Sequence, residues 1–216
     1  MLEGHIESVR IGTPKPLPYR SKIVQSAIFK EAVTEPIYVT LTNLDGDIQA
    51  DTKHHGGPDK AVCAYAAENY AFFTEKIGQA FPFGSFGENL TVSGLREDSI
   101  MIGDILSIGE CILQVSQPRE PCYKIAARHN LVQLPVWIRQ TGYSGYYFRV
   151  LKEGSLQAGD SAILKERGKG GITVASANTI MYGDDTPSEQ IKRLLNEEAL
   201  SASWRKQLTK KLASLT

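Results

Sequence analysis

The first 165 residues carry a strand-like pattern of apolar and polar positions. Short runs rich in β-branched residues, many with alternating apolar and polar positions, are bounded by glycine and proline, which is typical of β-strands. These runs are HIESVRI, SKIVQSAIF, IYVTLTNL, KAVCAYA, NLTVSG, DILSIGECILQVS, YYFRVL and DSAILKE. Many short strands of this kind predict a mostly β fold, closed or partly closed into a β-barrel.

Two helical segments interrupt the strand pattern. The stretch AENYAFFTEKIGQ follows the run KAVCAYA, and PCYKIAARHN follows the run that ends near Ser116. Proline is favoured in the first turn of a helix, where its missing N–H costs nothing, so Pro121 indicates the start of the second helix. Cys122 is therefore predicted at a helix N-terminus.

The pattern changes at the charged, glycine-rich stretch ERGKGG, residues 166–171. Everything after it has helical spacing, in three segments. The first segment is VASANTIMYG. The second follows a predicted capping box with proline at Thr186-Pro187-Ser188-Glu189, and the third carries a stripe of Trp204, Leu208, Leu212 and Leu215. We predict a barrel domain at residues 1–165, a linker at residues 166–171 and a three-helix domain at residues 172–216.

The overall charge indicates no bulk electrostatic partner. Among 216 residues, 24 Lys and Arg balance 24 Asp and Glu. Such a balance gives no general attraction to nucleic acid or to an anionic membrane. No apolar run approaches the roughly 18 residues of a membrane span, and no basic stretch followed by an apolar one opens the sequence. We expect a cytoplasmic protein whose partners are recognised at a local site.

The three cysteines are spaced too widely for a disulfide framework or a zinc knuckle, so we expect reduced thiols. Cys63 and Cys111 lie in strand-like runs, as small hydrophobic residues of a core do. Cys122 differs, since Arg119 and Lys124 are its neighbours in sequence. A helix N-terminus and nearby cations lower the pKa of a thiol from about 8.5 towards 7 or below. We therefore expect a thiolate at Cys122.

A second polar cluster lies in DTKHHGGPDKAVCAY, residues 51–65. Four polar side chains surround its Gly-Gly-Pro turn: His54, His55, Asp59 and Lys60. Backbone N–H groups in such a turn can approach a ligand closely, and Lys60 is placed to meet a phosphate. Adjacent histidines are a poor pattern for zinc ligation. A third stretch, FGSFGENLTVSG, brings Glu88 and Asn89 to the start of a strand and, taken alone, indicates a turn.

Taken together and in this order, HHGGPDKAVCAY, FGENLTVSGL and IGDILSIGECILQVSQPREPCYK closely resemble the MOSC domain, a family named for the C-terminal domain of molybdenum cofactor sulfurase. The helical tail resembles the three-helix appendage of the YiiM-type bacterial members of this family. The resemblance therefore spans nearly the whole chain.

The resemblance implies a β-rich barrel that binds a mononuclear molybdenum cofactor (molybdopterin), a pterin dithiolene that ends in a phosphate. The family's characteristic cysteine, the expected protein ligand to the metal, falls on Cys122. A thiolate is a suitable ligand for a thiophilic oxo-metal centre. The expected cofactor contacts are residues of the family's motifs and charged residues next to these motifs. They are Gly56, Gly57, Lys60, Asn89, Gln117, Arg119 and Lys124.

YiiM-like proteins are linked to the reduction of N-hydroxylated compounds, including hydroxylaminopurine, to amines. The resemblance thus implies a molybdenum-dependent reductase, in which the cofactor performs the redox chemistry and the protein orients a small-molecule substrate and supplies protons. The candidate catalytic residues are Cys122, Asp59, Glu88 and His55. Because the sequence has no GxGxxG turn in a βαβ context and no CxxC set, we expect a separate flavin reductase as the electron donor.

Three alternatives stay open. Cys122 as a persulfide would make the protein a sulfur carrier or sulfurtransferase. The basic stretch WRKQLTKK would suit nucleic acid, but acidic residues from Asp184 to Glu198 offset it and favour helix packing, a homodimer or another partner contact. A hydrolase would need His129 as a base, and a helix places it about 10 Å from Cys122 along the axis. We therefore expect no nucleic-acid and no membrane partner.

Overall fold

The computed structural model describes residues 2–50 and 56–215. The strands in these ranges are β1 (Glu3–Ile11), β2 (Lys15–Tyr19), β3 (Lys22–Ser26), β4 (Glu31–Val33), β5 (Ile37–Val39), β6 (Val62–Ala66), β7 (Leu90–Ser93), β8 (Ile105–Ile108), β9 (Cys111–Pro118), β10 (Tyr146–Lys152), β11 (Gly154–Leu156) and β12 (Ser161–Glu166). The α-helices are α1 (Glu68–Ile77), α2 (Tyr123–His129), α3 (Leu134–Thr141), α4 (Val174–Tyr182), α5 (Ser188–Leu195) and α6 (Ala202–Ala213). A 3-10 turn spans Pro58–Lys60.

Seven strands close into a barrel. Their order is β12-β8-β9-β10-β6-β7-β1, and β1 pairs with β12 to complete the circle. Strand β6 runs parallel to β7 and is connected to it through α1, while the other neighbours in the circle are antiparallel, so the barrel is mixed. The prediction of a mostly β, closed barrel followed by a helical tail is confirmed.

Alternate side chains of the strands fill the barrel, as a period of two requires. In β9, the side chains of Cys111, Leu113 and Val115 are fully buried in the barrel core. Cys111 is thus a core residue, as predicted, and its thiol donates to the carbonyl oxygen of Gly154 at 3.2 Å. Burial raises the pKa of this thiol to about 11, so it stays protonated and inert.

A β-bulge at Ser116 interrupts the alternation in β9. Val115 pairs with Phe148, whereas Gln117, two residues later in β9, pairs with Tyr147, the residue just before Phe148 in β10. Paired residues of antiparallel strands share a face, so the bulge turns Gln117 away from the face of Val115. Val115 and Phe148 lie in the barrel core. The outer surface of the barrel therefore carries a row of three paired residues: Gln117, Tyr147 and, on β6, Cys63.

A second, smaller core lies outside the barrel, beneath helices α1, α2 and α3. It consists of Tyr65, Tyr70, Phe73, Phe81, Phe86, Ile125, Leu134 and Ile138. Phe86 stacks on Tyr65 with ring centroids 4.1 Å apart. Because Ile125 of α2 is buried here, this aromatic core fixes the helix that begins beside Cys122.

The three C-terminal helices share the core of the barrel. Ile172, Ala177, Ile191, Trp204 and Leu208 belong to the same buried cluster as the barrel strands. The predicted linker, residues 166–171, is held by hydrogen bonds from its backbone to buried carboxylates of Asp104 and Glu197. The domain boundaries at residues 165 and 172 stay predictions. Among the described residues, no helix has both the length and the apolar character needed to cross a membrane.

The predicted capping box at residues 186–189 does not form. Helix α5 begins at Ser188 with Pro187 as its N-cap, and no side chain caps it. The hydroxyl of Thr186 donates instead to the carbonyl oxygen of Gly183 at 3.0 Å. Thr186 therefore closes the turn between α4 and α5.

Candidate functional site

A cleft opens on the outer face of the barrel, beside the row that contains Cys63 and Tyr147. It encloses about 660 Å³, including its open mouth. Two thiols, four cations and two carboxylates line it, from Cys63, Cys122, Lys30, Lys60, Arg119, Lys124, Asp47 and Glu120. The fold thus brings together five residues predicted from the sequence: Lys60, Asn89, Arg119, Cys122 and Lys124.

Cys122 is the N-cap of α2. Its backbone is extended, with φ −109° and ψ 159°, and its sulfur accepts a hydrogen bond from the backbone N–H of Lys124 at 3.3 Å. Its side chain is partly exposed in the cleft, whereas Cys63 and Cys111 are buried. The predicted place of this cysteine at a helix N-terminus is confirmed, although Pro121 precedes the cap instead of lying in the first turn.

Arg119 brings a permanent positive charge to the cleft. Its guanidinium donates to the carbonyl oxygen of Phe86, which fixes the side chain in place. Burial alone would lower the pKa of Arg119, but the groups around it, with the thiol of Cys63 foremost and that of Cys122 among them, raise it above its usual range. Arg119 is therefore a fixed cation in the cleft that both thiols line.

Cys63 is buried, as predicted for a small hydrophobic residue, but it does not belong to the cluster of side chains that fills the barrel. Its pairing with Tyr147 turns its side chain to the outer face, where it lines the cleft. Burial, more than any neighbouring charge, raises the pKa of its thiol. The cleft therefore contains one protonated, buried thiol in addition to Cys122.

Two residues that no motif marked, Lys30 and Asp47, form a buried ion pair in the cleft. Their side chains are 8% and 1% exposed. Asp47 also accepts hydrogen bonds from the backbone N–H of Gly12 at 2.7 Å and from the side-chain amide of Asn89 at 3.0 Å. The amide oxygen of Asn89 in turn accepts the backbone N–H of Cys63 at 3.1 Å. This network attaches the chain before residue 50 to the barrel wall.

Lys60 ends the 3-10 turn and reaches the cleft, with its ammonium 6.0 Å from the ring centroid of Tyr147. Gly57 has φ 94°, a conformation that favours glycine, and its carbonyl oxygen accepts the backbone N–H of Lys60 at 2.9 Å. Gly56 and Gly57 do not themselves line the cleft. In the described part of the chain these glycines shape the turn that presents Lys60.

Two family matches account for most of the chain. Residues 51–162 match the MOSC domain, and residues 172–215 match the YiiM-like, 3-alpha helix domain. The chain belongs to the MOSC domain family. The resemblance found in the sequence motifs and in the helical tail is thereby confirmed.

Relatives of this MOSC protein extend the match to nearly the whole chain. The uncharacterized protein YflK from Bacillus subtilis is 44% identical over 204 residues, which are 94% of this chain and 92% of YflK. The crystal structure of YiiM from Geobacillus stearothermophilus superposes with a TM-score of 0.83 at 40% identity, covering 97% of this chain and 99% of that one. A protein named reductase from Gibberella moniliformis is 32% identical over 148 residues, which are 67% of this chain but 26% of that protein.

Besides the two glycines, three more predicted site residues of the MOSC motifs do not line the cleft. The carboxylate of Asp59 pairs with Arg149 at 2.5 Å and accepts the backbone N–H of Ala202 at 3.1 Å, in the helical tail. Gln117 is fully buried and also faces the tail, because of the bulge at Ser116. The structure therefore places neither side chain in the cleft.

The third such residue, Glu88, is fully buried beside the aromatic core. One carboxylate oxygen accepts hydrogen bonds from the hydroxyl of Tyr70, from the backbone N–H of Gly84 at 2.6 Å and from the hydroxyl of Thr91 at 3.0 Å. The other has no hydrogen-bond partner within the described ranges. Burial and the neighbouring Glu88 raise the pKa of Tyr70 well above its usual value. The remaining candidate, His55, lies outside the described residues.

His129 is engaged away from the thiol. Its Nε2 bonds to the carbonyl oxygen of Ser85 at 2.8 Å, and its ring lies 4.7 Å from that of Phe81. Burial lowers its pKa. Because His129 does not line the cleft, the geometry gives Cys122 no histidine base from this helix. Among residues 2–50 and 56–215, no three His, Cys, Asp or Glu side chains are grouped so as to hold a metal ion.

Proposed function

We propose that this MOSC protein binds a molybdenum cofactor in the cleft and reduces N-hydroxylated small molecules, such as hydroxylaminopurine, to amines. The observation that carries the proposal is the partly exposed thiol of Cys122 in a cleft that also presents Lys30, Lys60, Arg119 and Lys124. The fungal relative named reductase, with 32% identity over 148 residues, supports an oxidoreductase.

The residues of the cleft fit the cofactor by their chemistry. Cys122 offers a soft sulfur ligand to a thiophilic metal. Four cations against two carboxylates, Asp47 and Glu120, leave an excess of two positive charges, which suits a ligand that ends in a phosphate.

The chain's own residues would hold and orient the reactants. Cys122 would bind the metal through sulfur, in a direction set by its N-cap hydrogen bond to Lys124. Arg119 would keep the site cationic at every physiological pH. When bound, the cofactor would supply the two-electron chemistry that removes the N-hydroxyl oxygen as water. The overall reaction, R–NHOH + 2e⁻ + 2H⁺ → R–NH₂ + H₂O, needs two protons.

Two of the three proton relays predicted from the motifs, Asp59 and Glu88, do not line the cleft, and His55 stays a prediction. Since Asp59 and Glu88 face the tail and the aromatic core, we assign proton supply to lysine ammonium groups of the cleft and to water at its open mouth. Electrons would come from a separate flavin reductase. Four statements about partners stay predictions: the flavin reductase, the small-molecule substrate, the absence of a nucleic-acid partner and the homodimer.

The proposed activity is testable without its electron-donating partner. Protein made in a host that synthesises molybdenum cofactor would be given hydroxylaminopurine and a reduced viologen dye, and the aminopurine product would be followed by chromatography. We expect turnover by the wild type and none by Cys122→Ser. The matched control is Cys111→Ser, because its hydroxyl can keep the bond to the carbonyl of Gly154. Failure of the cofactor-loaded wild type to turn over would contradict the proposal.

The accessibility of the Cys122 thiol also favours a second candidate, a sulfur carrier. In that function a persulfide on Cys122 would pass its outer sulfur to an acceptor thiol, leaving the cysteine sulfur as a thiolate. Intact-mass and metal analysis of the same preparation separates the two functions. A mass gain of one sulfur atom without bound pterin would favour the carrier, and bound molybdenum with pterin would favour the reductase.

A further inference from the structure

We propose that the three-helix tail positions the segment that carries Cys122, so that contacts made by helix α6 set the reactivity of this thiol. Three polar links join α6 and its N-cap to the two segments that line the cleft. The test below reports on the thiol itself, so its outcome is independent of what the cleft binds.

The first link joins the end of β9 to the start of α6. The side-chain oxygen of Gln117, fully buried, accepts hydrogen bonds from the hydroxyls of Ser201 at 2.7 Å and Ser203 at 2.9 Å. Ser201 is the N-cap of α6, and its hydroxyl oxygen already accepts the backbone N–H of Trp204, so its proton is available to Gln117. Leaving a buried amide oxygen without these donors is costly. The backbone N–H of Ser201 also donates to the carbonyl oxygen of Ser116 at 3.0 Å.

The second link lies two residues before the thiol. Glu120 lines the cleft, and its carboxylate accepts a hydrogen bond from the side-chain amide of Gln207 at 2.7 Å. The chain from Gln117 to Cys122 is short, so movement at either anchored residue shifts the backbone of the cysteine. Two contacts with one helix therefore restrain the segment that holds the sulfur.

The third link reaches the other side of the cleft. Asp59 accepts the backbone N–H of Ala202, the first residue of α6, at 3.1 Å, and it pairs with Arg149. A carboxylate is stabilised at a helix N-terminus. Asp59 directly precedes Lys60, which lines the cleft. One helix thus contacts both the segment that carries the thiol and the turn that carries the lysine.

These polar links are separable from the packing that holds the tail to the barrel. Trp204 and Leu208 of α6 are fully buried in the barrel core and account for the attachment of this helix. Ser203 is partly buried and Gln207 is exposed. Replacing these two side chains should therefore loosen the cysteine segment and leave the fold in place.

Alkylation of the full-length chain tests this inference. The test variant is Ser203→Ala/Gln207→Ala. The matched control is Lys206→Ala/Thr209→Ala, since Lys206 is exposed and the hydroxyl of Thr209 bonds to the carbonyl of Arg205 within its own helix. Iodoacetamide would be added at one fixed pH, and labels would be counted by intact mass. Because Cys63 and Cys111 are buried, folded protein takes one label, at Cys122, and unfolded protein takes three.

We expect single labelling of the test variant to be about fivefold faster than that of the wild type and of the control. This change corresponds to the net contribution of one hydrogen bond, that of the partly buried Ser203, to which the exposed Gln207 bond adds little. Ser203→Thr, which keeps the hydroxyl, should label at the rate of the wild type. Gln207→Glu should label faster than wild type, because its carboxylate would repel Glu120. A rate equal to or below that of the control, or the simultaneous appearance of three labels, would overturn the inference.

Discussion

The backbone N–H of Lys124 donates to the sulfur of Cys122, and this 3.3 Å contact makes the cysteine the N-cap of α2. A serine hydroxyl accepts the same N–H and is a favoured cap, whereas alanine offers no acceptor. We therefore expect Cys122→Ser to be more stable than Cys122→Ala by about 1 kcal/mol in the free energy of unfolding. Urea denaturation of the two variants measures this difference. Equal stabilities of the two variants would show that a hydrogen-bond acceptor at position 122 does not stabilise the start of α2.

The buried ion pair of Lys30 and Asp47 should dominate the stability of the cleft. Lys30→Met leaves a buried carboxylate without its cation, so we expect the free energy of unfolding to fall by about 3 kcal/mol. The matched control is Lys15→Met, whose partner Glu31 is 75% exposed; its loss should be below about 0.5 kcal/mol. Urea denaturation compares the two. Similar small losses would mean that Asp47 is satisfied by its neutral donors alone.

Stability should depend on pH through His129. Burial lowers the pKa of this imidazole below its usual 6.5, outweighing the hydrogen bond to Ser85 that raises it. The unfolded chain therefore binds a proton in a pH range where the folded chain does not. The stabilising contribution is complete above the unfolded pKa and is lost as the pH falls from there through the lowered pKa of the folded state.

The variant His129→Gln removes this titration but keeps a donor for the carbonyl of Ser85. We expect the stability of the wild type relative to His129→Gln to decrease between about pH 7.5 and about pH 5. Urea denaturation at both pH values tests the sign. A constant difference would mean that the folded imidazole titrates as it does in the unfolded chain.

Six of the eight predicted runs contain the seven strands of the barrel, because a buried face requires alternation, and the other two contain β3 and β5, which pair outside the circle. Each of the eight runs contains a strand. Strand β2, KPLPY, was missed, since two prolines in five residues argue against a paired strand, yet it forms a hairpin with β3 outside the barrel. Helix α3 was missed as well. Its signals were Pro135 in the first turn and Gly142 with φ 73° at the C-cap.

The sequence motifs predicted the site residues that share the cleft. They did not predict which motif residue a bulge turns to the other face of its strand, or which residues outside the motifs line the cleft. Simple alternation would place Gln117 on the face of Val115, and the bulge at Ser116 reverses this. Lys30 and Asp47 come from separate segments 17 residues apart, and neither segment has a pattern that indicates a site. Their contact depends on how these two segments fold against the barrel wall, which no local pattern indicates.

The central claim is that the sulfur of Cys122 binds the metal of a molybdenum cofactor. The most direct measurement is the molybdenum and pterin content of wild type, Cys111→Ser and Cys122→Ser, each purified from a host that makes the cofactor. Because serine keeps the helix cap, loss of metal from Cys122→Ser would not reflect unfolding. We expect pterin-bound molybdenum in the wild type and in Cys111→Ser, and at least about tenfold less molybdenum in Cys122→Ser. Molybdenum content at the wild-type level in Cys122→Ser would contradict the account.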